Sequence, residues 1–251
     1  MTTGTVGRPA GRPVLTLLLL ASASALLALS FLLIGNEAGE GDTRRFDMQL
    51  LLSAQALRVA HPGVANVMRD FSGLGSTGVI TLFTVLTVGY LVMLSRRRTA
   101  LLVAISVLSG TALVSMFKLA FGRVRPDAAY ADFTVAGLSF PSGHASMSAI
   151  VFLTLGALVA STRRRRAERL FILATAALMA VLVGFSRGVL GVHWATDILG
   201  GWAFGAAWAA LWLLLDRWWG SVPGGRAAID DRPCPLAAGL TDARGSGSAP
   251  T

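Results

Sequence analysis

Six apolar stretches recur along this chain, at positions 13–34, 71–94, 99–121, 144–161, 169–185 and 195–215. Each is about as long as the roughly 17–25 residues that a helix needs to cross a bilayer. No water inside a bilayer satisfies backbone N–H and C=O groups, so an element that crosses it must bond them within itself. The predicted fold is therefore all-α, a bundle of six transmembrane helices. Composition points the same way. The chain is 54% hydrophobic and only 14% charged, whereas an ordinary soluble domain carries about 25% charge. The partner that covers this apolar surface is the lipid bilayer.

Three regions follow: a short cytoplasmic N-terminus at 1–12, a transmembrane domain at 13–215, and a tail at 216–251 rich in Gly, Pro, Ala and Ser. Such a tail is expected to be disordered. Arg8 and Arg12 precede the first apolar run, which raises the question of a cleaved signal peptide. The length of that run favours a retained span, although Glu37-Ala38-Gly39 leaves cleavage open. Between the first two runs, 46–59 has the pattern of an amphipathic stretch.

The formal net charge of +9 first raises nucleic-acid binding. The arginines, however, sit in clusters between apolar runs, at 96–98 and 163–166. Short basic loops of this kind stay on the cytoplasmic side and anchor there. Nucleic acid is set aside on that ground. With six spans, every arginine-dense loop falls on one face, and 35–70, 122–143 and 186–194 are predicted on the extracytoplasmic face of a cell membrane. The only cysteine, Cys234, lies in the tail, so neither an intrachain disulfide nor a cysteine metal site is available.

Three groups of residues carry chemistry. The single lysine, Lys118, stands near the end of an apolar span in a chain that otherwise uses 21 arginines. An ionisable group in a span tends to be functional; taken alone, Lys118 reads equally well as a snorkelling side chain. Arg123, Arg125 and Pro126 follow it. Lys118 and Arg125 are about two helical turns apart and would share a face, while Pro126 turns the chain. Converging cations call for an anion, and arginine offers a planar fork suited to phosphate.

The second group, Pro141-Ser142-Gly143-His144, opens an apolar run. Helix starts bind anions through free N–H groups; Ser142 can either cap the helix or bond the anion. Alone, this reads as an ordinary capped helix. The third group is Ser186-Arg187, then Gly191, His193 and Asp197. His193 and Asp197 are four apart and stack on one helical face. A carboxylate on one imidazole nitrogen leaves the other as nucleophile or base. A structural His–Asp pair remains the plain alternative. Three histidines and few carboxylates make a poor metal-ligand set. His61, before Pro62, reads as a loop residue. The arginine-derived topology puts all three groups on the same face.

Lys118 with six residues before Arg125-Pro126, Pro141-Ser142-Gly143-His144, and Ser186-Arg187 with Gly191, His193 and Asp197 together resemble the signature of the type 2 phosphatidic acid phosphatase superfamily, which includes vanadium haloperoxidases. All three motifs match in order and spacing, over about residues 71–215. The resemblance implies a six-helix core with its site at the extracytoplasmic end and no metal or other cofactor in hydrolysis. It implies His193 as nucleophile, Asp197 as its orienter, and His144 as acid and then base. Lys118, Arg125, Arg187, Ser142 and Gly143 would hold the phosphoryl oxygens, and the role of Arg123 stays open. The expected substrate is a phosphorylated lipid, either a phosphomonoester such as phosphatidic acid or phosphatidylglycerol phosphate, or an isoprenoid diphosphate such as undecaprenyl diphosphate. A phosphotransferase on the same fold is the nearest alternative; a haloperoxidase or a transporter is further off.

Overall fold

In a computed structural model, which describes residues 11–221, the described residues form helices and turns with no strand. The helices are α1 (Gly11–Glu40), α2 (Arg44–Ala60), α3 (Gly63–Leu74), α4 (Thr77–Met93), α5 (Arg97–Phe121), α6 (Gly143–Ser161), α7 (Arg166–Val189) and α8 (Ala195–Ser221). Met1–Asp216 forms one compact unit; Arg217–Thr251 is a second, whose described residues are the end of α8. Six spans are long and apolar enough to cross a membrane, with α3 and α4 together making one of them, Gly63–Met93. Leu18, Leu29, Leu82, Leu108 and Phe171 are exposed, as expected of side chains that face lipid.

The first helix runs on to Glu40 and the second span begins at Gly63, both beyond the predicted runs; four further features depart from the sequence reading, each for a local reason. Residues 186–189 belong to α7 rather than to a turn. The helix gives way only where Gly191 takes φ +72, and a Cβ there would collide with the carbonyl of Tyr130. Both constraints exclude other residues. Second, α8 continues to Ser221, so residues 216–221 are helical; the rest of the tail expected to be disordered, 222–251, lies outside the described residues. Third, α5 stops at Phe121, where Gly122 adopts a left-handed conformation. Lys118 and Arg125 therefore do not share a helix face, and a loop returns Arg125 to the bundle. Fourth, the second span is broken at Gly75-Ser76, where Ser76 caps α4 by accepting from the Val79 N–H at 3.4 Å.

Small residues bring α6 and α8 close. A Cβ on Gly201 would stand 2.9 Å from both the Ala145 methyl and the Ser142 carbonyl, and one on Gly205 would crowd Ser146 and Ala149. Lipid gives helices no hydrophobic reason to associate, so close packing of this sort holds a bundle together. Phe31 of α1, 3% exposed, packs among Phe117, Phe121, Phe140 and Phe204. Phe140 stacks on Phe31 at 5.6 Å, which fixes the chain just ahead of Pro141-Ser142. The amphipathic α2 is tied down by Arg58, whose guanidinium donates to the carbonyls of Val189 and Tyr130.

The end of α5, the start of α6, the end of α7 and the start of α8 meet at one end of the bundle. Lys118 donates to the Leu138 carbonyl there, and the Ser142 N–H donates to the Asp197 carbonyl. The arginine-rich junctions lie at the opposite end, where Arg98 donates to the Asp216 carbonyl at 3.1 Å.

Candidate active site

His193 sits in the turn between α7 and α8 and is 3% exposed. Arg125 Nη1 lies 2.9 Å from its Nε2. An arginine nitrogen always donates, so Nε2 carries a lone pair and the ring proton belongs on Nδ1. That nitrogen faces Asp197 Oδ2 at 3.3 Å. Burial pushes the ring down to about 4; Asp197 opposes this, while Arg125 and Lys118 add to it. At neutral pH the ring is therefore uncharged, with its Nε2 electron pair directed at the cations.

Asp197, in the first turn of α8, is fully buried. Its Oδ2 also accepts from the Trp194 N–H at 2.9 Å and from the Ser139 hydroxyl. Its Oδ1 accepts from Arg123 Nη1 at 2.7 Å. A carboxylate bonded this fully has one orientation and keeps its charge despite burial. Arg123, whose role the sequence left open, thus reaches the carboxylate rather than the cradle. Its other arm meets Asp47 Oδ2 at 2.6 Å.

The cations come from three elements. Lys118 Nζ donates to the carbonyls of Leu138 and Ser139 at 2.7 and 3.3 Å. Arg125 donates to the carbonyls of Val192 and Gly137 at 2.8 and 3.1 Å, and burial lowers its pKa while Asp197 opposes. Arg187 points inward from α7, is 4% exposed, and donates to the Ser72 hydroxyl at 2.7 Å. Its guanidinium also lies 5.5 Å from the Phe133 ring centroid. Its Nε is buried without a hydrogen-bond partner.

Ser142 takes the N-cap position of α6 but makes no side-chain cap bond. Its buried hydroxyl has no partner. Of the two uses its sequence allowed, capping is excluded. The hydroxyl, the free N–H groups at the start of α6 and Arg187 Nε remain as donors for an anion. His144, in the first turn of α6, lies within electrostatic reach of Arg187, His193, Arg125 and Lys118. A crevice of about 890 Å³ between α4, α5 and α6 ends at Gly143 and His144, lined by Ile80, Val85, Val107 and Met147. A smaller apolar cavity between α2, α7 and α8 touches Asp47 and His193.

All eight residues singled out from the sequence, namely Lys118, Arg125, Ser142, Gly143, His144, Arg187, His193 and Asp197, stand at this one end of the bundle. His61 follows α2 and is exposed. Among the described residues, no group of three or more His, Cys, Asp or Glu side chains is arranged to hold a metal ion.

Residues 99–221, which contain all three motifs, match the model of the PAP2 superfamily. A phosphatidylglycerophosphatase B of Bacillus subtilis (strain 168) is 32% identical over 158 residues, or 61% of this chain and 76% of the relative. The chain belongs to the PAP2 superfamily. A similar fold is found in the crystal structure of the first transmembrane PAP2 type phosphatidylglycerolphosphate phosphatase from Bacillus subtilis. It is 26% identical with a TM-score of 0.71, and the match covers 77% of this chain and 95% of that one. The bundle is that of a multi-pass membrane phosphatase. Two residues that bond the PAP2 motifs, Asp47 and Ser72, lie outside the matched segment. Asp47 had a partial signal in the sequence: it falls on one helical stripe of the amphipathic stretch with Leu51 and Ala54, a stripe that also carries Arg58. Ser139 had none.

Proposed function

We propose that this PAP2 phosphatase hydrolyses a lipid phosphate monoester at the extracytoplasmic membrane face through a phosphohistidine on His193. The observation that carries this is the His193 ring, with Nδ1 on a fully bonded carboxylate and Nε2 among cations. Nε2 attacks phosphorus as the bond to the lipid oxygen breaks. That oxygen takes the bonding electrons and a proton from His144, which enters the step as an imidazolium beside the bound phosphate dianion and leaves it neutral. Nδ1 keeps its proton, so the phosphorylated ring is cationic and Asp197 compensates it. His144 then takes a proton from water, whose oxygen attacks phosphorus. The P–N bond breaks, phosphate leaves, and both rings return to their starting states.

Charge spreads over the equatorial oxygens as a phosphoryl group moves. Lys118, Arg125, Arg187, the Ser142 hydroxyl and the Gly143 N–H oppose that charge from fixed positions. In-line displacement puts the leaving oxygen on the side away from Nε2. The crevice that ends at His144 supports an apolar leaving group there. Similarity to a phosphatidylglycerophosphatase B supports a lipid monoester as substrate, and an isoprenoid diphosphate presents the same terminal phosphoryl group. The arginine-rich junctions at the other end of the bundle support an outward-facing site.

Phosphate release from purified phosphatidic acid, phosphatidylglycerol phosphate and an isoprenoid diphosphate, with a short soluble ester as control, tests this reading. The lipid esters should be preferred. Release from none of the lipids would overturn it. Transfer to an added alcohol in place of water would make the protein a phosphotransferase.

A further inference from the structure

The relation between α2 and the reacting histidine goes beyond the three motifs. Asp47 is 1% exposed. Its Oδ1 accepts from the Thr196 N–H at 2.9 Å. Its Oδ2 accepts from the Thr196 hydroxyl at 2.7 Å, from Arg123 Nη2 at 2.6 Å and from the Thr43 hydroxyl at 3.2 Å. Arg123 Nη1 then bonds both the Thr196 hydroxyl and Asp197 Oδ1 at 2.7 Å. The result is a chain of hydrogen bonds from α2 through Arg123 to the carboxylate behind His193.

We propose that Asp47 and Arg123 are positioning residues for phosphoryl transfer, acting on His193 through Asp197. Two consequences follow from the chemistry. Arg123 holds Oδ1, so Oδ2 is the oxygen turned to Nδ1. Asp47 also sets the charge behind the ring. Arg123 and Asp197 alone sum to zero, whereas with Asp47 the trio carries one negative charge. That charge is the complement of the cationic phosphohistidine. A buried carboxylate bonded by four donors is an expensive way to tether a surface helix, and α2 has a second tether in Arg58.

The inference rests on His193 as nucleophile, and the experiment separates the two claims. Full-length protein in detergent is assayed on phosphatidic acid as Asp47→Asn and as Arg123→Gln. Neither residue is placed to touch the phosphoryl group, so KM and inhibition by inorganic phosphate should change less than about twofold. In metal sites the outer hydrogen-bond partners of a ligating histidine are worth about 10–100-fold, and by analogy kcat should fall by about that much. The acid limb of kcat reports His193 among Asp197, Arg123, Arg125, Lys118 and His144. Asp47→Asn removes a negative charge and should move that limb to lower pH. Arg123→Gln removes a positive one and should move it to higher pH. Unchanged kcat, or a loss of active protein with both limbs in place, would overturn the proposal. If Asp47→Asn does not fold, the shift in Arg123→Gln decides alone. Wild-type protein that releases no phosphate from any lipid ester would instead overturn the function itself.

Discussion

The two histidines of the site are held in opposite ways. His193 is clamped: its ring lies between Arg125 and Asp197, and the carboxylate is fixed in turn by Ser139, Trp194 and Arg123. The His144 side chain makes no hydrogen bond to the described residues and lines the end of the apolar crevice. A nucleophile gains from one fixed direction of attack. An acid that must follow a departing oxygen and then meet a water gains from freedom. The difference in restraint therefore separates two residues that composition alone makes identical.

Mutation can break this comparison. His193→Ala removes the attacking atom and should abolish turnover of every ester, activated or not, in a phosphate-release assay. His144→Ala should cost about 10²–10⁴-fold on a lipid ester, the usual scale of general acid–base catalysis. An aryl phosphate, whose leaving group needs no proton, should still phosphorylate His144→Ala in a rapid first-turnover burst. Equal loss of that burst in both variants would remove the distinction. Ser142→Ala deletes one donor and should lower kcat/KM by about 100-fold, at the low end of what such donors contribute.

A smaller effect concerns pH. Burial lowers His193 to about 4, so its neutral, nucleophilic form persists well below the usual imidazole range. After correction for ionisation of the ester, kcat/KM should hold as pH falls through 6.5 and decline only near 4. A decline centred near 6.5 would mean that the ring is not shielded as described. The smallest effect belongs to His61→Ala, which should leave turnover within about twofold.

The sequence reading was strongest where lipid or phosphate imposes the residue type. Apolar runs marked the spans because a bilayer demands their length. Lys118 stood out because arginine does every other cationic task in this chain. It was weakest where contacts are distant in sequence. Arg187 lies inside α7, which gives way only at Gly191, and its buried side chain meets Ser72 and the Phe133 ring. Neither partner is near it in the chain. Asp47 sits among ordinary acidic and basic residues, and only its register with Leu51 and Ala54 on α2 marks it. Spacing alone suggests that Lys118 and Arg125 share a helix face, but the span ends at Phe121 and the left-handed Gly122 turns the chain between them.

The covalent intermediate offers the most direct check. Protein mixed briefly with a lipid ester carrying labelled phosphate, then quenched in alkali, should retain label that acid releases, as a phosphoramidate does. Peptide mapping should place that label on His193, and His193→Ala should carry none. Label on His144 or on a serine, or a burst of released lipid alcohol with no phosphorylated protein, would contradict the account.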